Sequence, residues 1–368
     1  MEITRKAKLH LINTIKQYRM LHTSRQQNSG ELAYSKNIGL KVDLTSEEKS
    51  KIKALWGDIV PNIESGYLAY RIYKQLHGFD EKFVPVPYYY PYIMWKLNEK
   101  DVSLTLAHKG LLPIYFRDVL QPTIVVNCIN GNIFDSNHKI ISLDDAVNEV
   151  KDRAKSLIIK PSTDTSSGKN VKIIDAALDK NEIGNIIKSY GRNYVIQELV
   201  EQSQVTSQIN PTSLQTMRIN TLFINGKCTA VKNVLRCGAS GNIVDNLNSG
   251  GFMIGINDDG RFNEFGYSLD GTLHTHSNGH KLSDVVLPNF KDVLDTAINT
   301  HINNVPNCSL VGWDFSLTKD NKPILIEANL KFPSCLGVQM CSSPFFGDRT
   351  QEVIDFVKSN KRSARLFY

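Results

Sequence analysis

Two carboxylates and a carboxamide share one face of a predicted hairpin near the C-terminus: Asp314, Glu327 and Asn329. Apolar and polar residues alternate along both arms, as expected for strands with one buried face. The arms read Val311-Gly-Trp-Asp-Phe-Ser-Leu317 and Ile324-Leu-Ile-Glu-Ala-Asn-Leu330. Two opposed carboxylates destabilise a strand pair unless a cation lies between them. Such oxygen ligands suit Mg²⁺ completed by water and phosphate, so the pattern predicts a magnesium site; the alternative is a solvated face with unrelated acids.

The register of this hairpin follows from its turn. Asp320-Asn321 tolerates positive φ and predicts a two-residue turn. That turn gives these cross-strand pairs: Asp314 with Glu327, Gly312 with Asn329, Phe315 with Ile326 and Leu317 with Ile324.

A loop of small residues after a strand-ending lysine is a candidate phosphate-binding segment. Lys160 closes the apolar strand Leu157–Lys160, and the loop contains Ser167, Gly168 and Lys169. Backbone N–H groups of such a loop can surround phosphate oxygens while the lysines supply positive charge. The Walker A pattern G-x-x-x-x-G-K-[ST] is absent from the sequence. An ordinary surface loop is the other interpretation.

The elements that must position these residues predict an α+β fold. The first 80 residues read mainly as helix, with a capping box at Thr45-Ser46-Glu47-Glu48 and a basic amphipathic helix over Met1–Met20. That first helix either contacts a membrane surface or packs on its own domain. Residues 81–113 predict an ordered irregular segment. The later elements are strands 123–128, 157–160, 171–174, 194–198, 214–224 and 227–236, helices 144–154, 177–190 and 290–302, and the hairpin 311–330.

Taken in order, these segments resemble the ATP-grasp superfamily, and most closely its sugar-transfer-associated group, found with polysaccharide and capsule biosynthesis. The resemblance is best over residues 105–345. Its segments are Leu157-Ile-Ile-Lys-Pro, Ser167-Gly-Lys-Asn-Val, Tyr194-Val-Ile-Gln-Glu-Leu-Val-Glu201, Thr216-Met-Arg-Ile-Asn220, Val244-Asp-Asn with Gly250-Gly251, Val311-Gly-Trp-Asp and Leu325-Ile-Glu-Ala-Asn.

The resemblance implies two α+β lobes that clasp ATP, with an antiparallel sheet, after a mainly helical N-terminal region. The implied boundaries are 1–104 for the N-terminal, acceptor-side region, 105–205 for the first lobe and 206–368 for the second. The implied cofactors are ATP and Mg²⁺.

The resemblance also implies roles for individual residues. Lys160 contacts the ATP phosphates, and Arg218 stabilises the γ-phosphate and an anionic intermediate. The other implied sites are Glu198, Leu199 and Val200 for adenine, Glu201 for ribose, Arg236, Asn246, Gly250 and Gly251 for the phosphate and acceptor side, and Asp314, Glu327 and Asn329 for Mg²⁺.

Two features depart from the family pattern. An aspartate–lysine pair common before the ATP lobe is here His108-Lys109, so Lys109 is the candidate second ATP lysine. A tight turn at Asn225-Gly226 also places Arg218 opposite Asn233 and turns Arg236 to the other face, unless a bulge intervenes.

Two further clusters carry open interpretations. His274, His276 and His280 could bind zinc but lack an obvious fourth ligand, and an acceptor-side or structural role is preferred. A tyrosine-rich stretch is either a platform for sugar stacking or core packing. Its members are Tyr88, Tyr89, Tyr90 and Tyr92.

Composition excludes several classes of protein. With 41% hydrophobic and 22% charged residues, the chain of 368 residues is globular, and its net charge of +6 is too small to indicate a nucleic-acid partner. No apolar run is long enough for a membrane helix, and no signal peptide is recognisable. The 6 cysteines form no C-x-x-C pair, which indicates a reduced, cytoplasmic protein.

Three functions remain as hypotheses. The first is an ATP-dependent ligase that joins a carboxylate to an amine through an acylphosphate, releasing ADP and phosphate, in capsular or surface polysaccharide biosynthesis with small, possibly sugar-linked substrates. The second is an ATP-grasp kinase that phosphorylates a hydroxyl. The third is a non-catalytic nucleotide-binding scaffold of a glycan assembly complex.

Overall fold

The computed structural model describes residues 31–98, 108–163, 170–243, 245, 247, 250–330 and 333–360. Several predicted features lie outside these residues: the helix Met1–Met20, the boundary between residues 104 and 105, and the loop residues Ser167, Gly168, Lys169 and Asn246.

The helices predicted over 144–154, 177–190 and 290–302 form with small shifts at their ends, and the structure contains further helices that were not predicted. They are α1 (Ser46–Trp56), α2 (Tyr67–His77), α3 (Val86–Tyr88), α4 (Trp95–Leu97), α5 (Leu112–Tyr115), α6 (Leu143–Asp152), α7 (Lys180–Ser189), α8 (Gln204–Ile209), α9 (Phe290–Asn304), α10 (Leu336–Cys341) and α11 (Thr350–Ser359). Residues 31–37 are also helical. The predicted capping box is confirmed, because Thr45 and Glu48 bond each other's backbone at the start of α1.

The strands form two sheets and one small strand pair. They are β1 (Ile124–Ile129), β2 (Asn132–Asp135), β3 (Leu157–Pro161), β4 (Lys172–Ile174), β5 (Tyr194–Glu198), β6 (Thr216–Ile224), β7 (Lys227–Cys237), β8 (Phe252–Ile256), β9 (Phe262–Ser268), β10 (Leu273–His274), β11 (His276–Ser277), β12 (His280–Lys281), β13 (Leu310–Leu317) and β14 (Pro323–Asn329). They form a 5-stranded sheet, β2-β1-β5-β3-β4, a 7-stranded sheet, β10-β9-β8-β7-β6-β13-β14, and the small pair β11-β12. All strand pairs are antiparallel.

The N-terminal region packs on the larger sheet. The segment expected to be irregular is helical over Val86–Leu97, because Pro87 occupies the first turn of α3, where its missing N–H is not needed. Tyr88 and Tyr89 are fully buried there and join a core with Leu222 of β6 and Leu310 of β13. Core packing, rather than a sugar-stacking surface, is thus the role of these tyrosines.

The predicted register at the β13–β14 hairpin is confirmed at its polar face, where Asp314 pairs with Glu327 and Gly312 with Asn329. It is wrong nearer the turn, where Phe315 pairs with Leu325 and Leu317 with Pro323. The loop holds three residues rather than two, since Thr318 N–H bonds Lys322 O, and Asn321 takes the left-handed conformation at φ 59°. A bulge after Asp314 then restores the register at the site.

A second bulge lies between β6 and β7. The Asn225-Gly226 turn forms as predicted, with φ of 53° and 75°. Past the bulge between Ile219 and Thr221, Arg218 pairs with Val234, so the expected pairing of Arg218 with Asn233 is wrong. Arg236, two residues beyond Val234, therefore lies on the same face as Arg218.

The two sheets meet along the chain that connects them. Gln202 bridges to Thr318 at the tip of the β13–β14 hairpin, and Ser203 N–H donates to Leu317 O at 2.9 Å. On the other side, Leu325 N–H donates to Leu120 O at 2.8 Å. These bonds hold β14 beside the segment that leads into β1, which brings residues of both sheets to one cleft.

Gly110 lies in the short helical turn that contains Lys109 and packs against β1 of the smaller sheet. A Cβ at Gly110 would lie 2.0 Å from Oδ1 of buried Asn127, whose Nδ2 already donates to Gly110 O at 2.7 Å. We expect Gly110→Ala to destabilise the protein by about 1–3 kcal/mol through overpacking, measured by urea unfolding. Gly184→Ala, within α7, is the control. A Cβ at Gly184 would lie 3.6 Å from the Val147 side chain, an ordinary contact, so this variant should stabilise the protein by about 0.5–1 kcal/mol. Equal effects of both variants would contradict the account.

Candidate functional site

The centre of the site is the Asp314 carboxylate on β13, which is 2% exposed. Arg218 on the neighbouring strand β6 donates from Nε to Asp314 Oδ1 at 2.5 Å and from Nη2 to Oδ2 at 3.2 Å. Arg236 on β7 donates from Nη2 to Oδ2 at 2.9 Å. Asn329 Nδ2, on the opposite neighbour β14, donates to the same oxygen at 3.2 Å. Three strands thus converge on one buried carboxylate.

A second carboxylate holds the outer side of Arg236. Asp245 Oδ2 lies 3.2 Å from Arg236 Nε. The Thr216 hydroxyl donates to Asp245 and accepts from Arg236 Nη2 at 2.7 Å and Nε at 3.0 Å. The guanidinium is therefore fixed in orientation by two carboxylates and a hydroxyl.

The third carboxylate, Glu327, pairs with a lysine from the other side of the cleft. Lys109 Nζ lies 3.0 Å from Glu327 Oε1, and the lysine side chain is 12% exposed. The Lys109 backbone is held in turn, because its N–H donates to Ser162 O at 2.9 Å. Ser162 follows Lys160 and Pro161, so the two lysines enter the site together.

The pKa shifts reflect this packing. Burial alone would raise the pKa of Asp314, but Arg218 and Arg236 outweigh burial and hold it below its ordinary value. Burial lowers the pKa of Lys160 to about 8, with Glu327 opposing and Lys109 reinforcing that fall. Burial raises the pKa of Asp245 despite Arg236. Asp314 therefore stays ionised at neutral pH, although it is buried, because two guanidinium groups surround it.

The donors fit a magnesium ion. Asp314, Glu327 and Asn329 lie on one face of the paired strands in direct or diagonal register, and carboxylate and amide oxygens are the ligands Mg²⁺ prefers. Here Arg218, Arg236 and Lys109 neutralise the carboxylates. A divalent cation bound there would supply part of the positive charge that these three side chains provide.

The candidate adenine and ribose residues lie on the connection between the sheets. Glu198, at the end of β5, pairs with Arg153 at 3.3 Å and Lys155 at 3.0 Å, and Leu199 is 42% exposed. Val200 is half-buried, and Glu201 pairs with Lys319 at 2.9 Å on the surface. Gly251 is buried where β8 begins, and Gly250 is exposed at φ 86°.

A comparison with protein families identifies the chain. The family described as sugar-transfer associated ATP-grasp matches residues 92–354. The chain belongs to this family. The match covers both sheets and the charged residues described above, which we call the charge cluster: Lys109, Lys160, Arg218, Arg236, Asp245, Asp314 and Glu327.

Solved structures similar to this ATP-grasp chain include three ligases. An L-amino acid ligase from Bacillus licheniformis is 11% identical, with a TM-score of 0.40, covering 69% of this chain and 48% of its own. The D-alanyl-alanine synthetase A from Vibrio cholerae O1 biovar eltor str. N16961 is 11% identical, with a TM-score of 0.40. This match covers 70% of our chain and 65% of the synthetase chain. The ATP-grasp ligase PsnB, complexed with a phosphomimetic variant of minimal precursor, Mg and ADP, is 11% identical, with a TM-score of 0.40. This match covers 70% of our chain and 60% of the PsnB chain.

This chain thus spans about half the length of the first of these structures. A comparison with curated protein sequences finds no match. Among the residues that the structure describes, the helices are too short or too polar to span a bilayer.

His274 of this ATP-grasp chain packs against residues of β8 and β9. His274 stacks on Phe252 at 4.5 Å between ring centroids, and its Nε2 lies 2.7 Å from Ser268 Oγ. Ser268 Oγ donates to Gly251 O at 3.0 Å. Within the described ranges, no three His, Cys, Asp or Glu side chains gather into a possible metal cluster. His274 instead supports the glycine loop that enters β8.

Sequence reasoning missed Thr216 and Asp245 as members of the site. Both stood in segments that carried the family resemblance, but neither received a role. The signal for Thr216 was available: it lies two residues before Arg218 on the same strand, and hence on the same face. Asp245 had no such signal, because it follows a loop whose path no periodicity fixes.

Removing the central charge tests the cluster. We expect Asp314→Asn to destabilise the unliganded protein by about 2–4 kcal/mol, because it leaves two largely buried guanidinium groups without their shared partner. The measurement is urea unfolding. Asp348→Asn is the matched control: Asp348 pairs with Lys82 at full exposure, and its loss should cost less than about 1 kcal/mol. Equal unfolding midpoints for the two variants would contradict the central role of Asp314.

Proposed function

We propose that this sugar-transfer associated ATP-grasp protein is an ATP-dependent carboxylate–amine ligase. ATP phosphorylates a substrate carboxylate, giving an acylphosphate and ADP; an amine then attacks the acyl carbon, an amide forms and phosphate leaves. The observation that supports it is the charge cluster: Lys109, Lys160, Arg218 and Arg236 converge with Asp314 and Glu327 in the cleft between the two sheets. Phosphoryl transfer needs positioning and cationic charge rather than a protein nucleophile.

The residues take these roles in the proposal. Lys160 and Lys109 hold the ATP phosphates, and Arg218 and Arg236 turn from Asp314 towards the γ-phosphoryl group and the acylphosphate. Asp314, Glu327 and Asn329 hold Mg²⁺, which when bound neutralises charge on the phosphate oxygens. Glu198, Leu199 and Val200 line adenine, and Glu201 the ribose.

The lobes and the biological setting are also part of the proposal. The first lobe, 105–205, and the second, 206–368, close on ATP, and residues 1–104 contribute to the acceptor side. The family description favours sugar-linked substrates in capsular or surface polysaccharide biosynthesis, with an amino acid joined to a sugar carboxylate or amine.

Turnover with Mg²⁺-ATP tests the reaction, resolving ADP, AMP and inorganic phosphate against amino acids with and without uronic acids. We expect ADP and phosphate only when a carboxylate and an amine are both present, and a loss of at least about a hundredfold in Lys160→Met, because one preorganised cation is removed. Asp348→Asn, far from the charge cluster, should keep full activity.

Hydroxylamine separates the ligase from the kinase. It captures an acylphosphate as a hydroxamate, so hydroxamate should form when the amine is replaced by hydroxylamine. ADP without free phosphate or hydroxamate would indicate transfer to a hydroxyl. ATP binding without turnover of any pair in the panel would contradict the ligase proposal for these substrate classes and favour the scaffold.

The pKa of Lys160 gives a pH dependence for nucleotide binding. Phosphate binding needs the protonated amine, and its pKa in the free protein is about 8. Affinity should therefore be full below pH 7 and fall as the pH rises through 8, by up to about tenfold per unit. Calorimetry with Mg²⁺ and an imido analogue of ATP measures it. Lys160→Met should bind more weakly with no change between pH 7 and 9, and a flat profile in the unmodified protein would exclude this role.

A further inference from the structure

A separate cavity of about 210 Å³ lies between the N-terminal region and α10. Its wall is almost entirely apolar, with Ala69, Ile72 and Tyr73 from α2 on one side and Leu336 and Met340 from α10 on the other. Ala33 and Leu269 are exposed and mark the side that opens to solvent. An engineered apolar cavity of about 150 Å³ binds benzene. This one is large enough for a ring with a short side chain.

Two buried polar groups line this cavity without a side-chain partner among the described residues. Glu31 is 1% exposed, and among the described residues its carboxyl oxygens have no side-chain hydrogen-bond partner; the Val86 backbone is the one polar group that lowers its pKa. The hydroxyl of Tyr34, on the same helical segment, is also buried and unpartnered. Buried polar groups are nearly always hydrogen-bonded, and a buried acid is normally paired with a cation. Among the described residues, these two groups on one cavity wall are therefore available to a ligand.

The charge of the missing partner follows from the neighbours of Glu31. Within the part of the chain that the structure describes, Glu31 forms no ion pair, and the groups whose pKa values it raises, Tyr73 and Cys335, are neutral near pH 7. Burial raises the pKa of Glu31 to about 8, and the Val86 backbone opposes this only in part. An ammonium group next to Glu31 would favour its ionised form.

We propose that this cavity binds a small primary amine with an apolar body, whose ammonium group pairs with Glu31 and donates a hydrogen bond to the Tyr34 hydroxyl oxygen. The apolar body fills the space between α2 and α10. The site is distinct from the charge cluster and does not depend on ATP. An amine is also the nucleophile class of the proposed ligase, but binding alone does not require that function.

Calorimetry with phenethylamine as probe, at pH 7 and without nucleotide, tests the site. We expect saturable binding with one site per chain. The alcohol of the same shape, 2-phenylethanol, should bind at least about tenfold more weakly, as expected for loss of a buried charged hydrogen bond, and phenylacetate should not bind. Ethylamine, which lacks the apolar body, should also bind more weakly.

Two variants locate the site. Glu31→Gln should weaken phenethylamine binding at least about tenfold through loss of the ion pair, while the unliganded variant unfolds at the same or a higher urea concentration, because an unpartnered buried acid is removed. Ala69→Leu fills the cavity and should abolish binding of the amine and the alcohol alike. Glu47→Gln, on the exposed face of α1 and paired with Lys51, is the matched control and should bind normally.

Several results would overturn the site. The proposal is wrong if phenethylamine does not bind, or if it binds equally well to Glu31→Gln and to the unmodified protein. A marked loss of stability in Glu31→Gln without amine binding in the parent would show that the carboxyl has a structural partner. Because no nucleotide is present, these results are independent of the outcome for the ligase.

Discussion

The structure depends on one constraint: the Asp314 carboxylate is buried on the next-to-last strand of the larger sheet and must be neutralised there. A buried carboxylate is strongly unfavourable unless charged hydrogen-bond donors surround it. Arg218 and Arg236 provide them from the two strands next along the sheet. This requirement explains why β6 and β7 cannot pair with regular register along their whole length, since regular pairing would turn one guanidinium away.

The bulge that aligns the arginines has its own physical support. Asn220 is fully buried on β6, and its Nδ2 donates to Lys232 O at 2.7 Å where the register shifts. An amide side chain thereby satisfies a backbone carbonyl that the disrupted ladder leaves free. A polar residue on a buried strand position was the one sequence signal for this bulge, and alternation alone does not distinguish it from an ordinary inward-facing side chain.

What the sequence could predict was local. The Asn225-Gly226 turn and the opposition of Asp314 and Glu327 follow from residue types a few positions apart, because turn chemistry and the two-residue period act over short distances. Contacts between distant segments could not be predicted in this way. The pairing of Lys109 with Glu327 joins a short helical turn before β1 to the last strand of the larger sheet. The burial of Tyr88 and Tyr89 depends on the larger sheet that covers them. Asp245 was missed for the same reason.

The balance of charge explains why the cluster is suited to a phosphorylated ligand. Lys109, Lys160, Arg218 and Arg236 face Asp245, Asp314 and Glu327, so the cations exceed the carboxylates even before a metal enters. Lys160 carries the excess: among the described residues it forms no ion pair, and burial lowers its pKa more than Glu327 raises it. In the unliganded protein the carboxylates occupy donors that phosphate oxygens would otherwise use. Binding a polyanion together with a divalent cation therefore exchanges one set of ion pairs for another and leaves no charge buried alone, which is the condition a site between two packed sheets must meet.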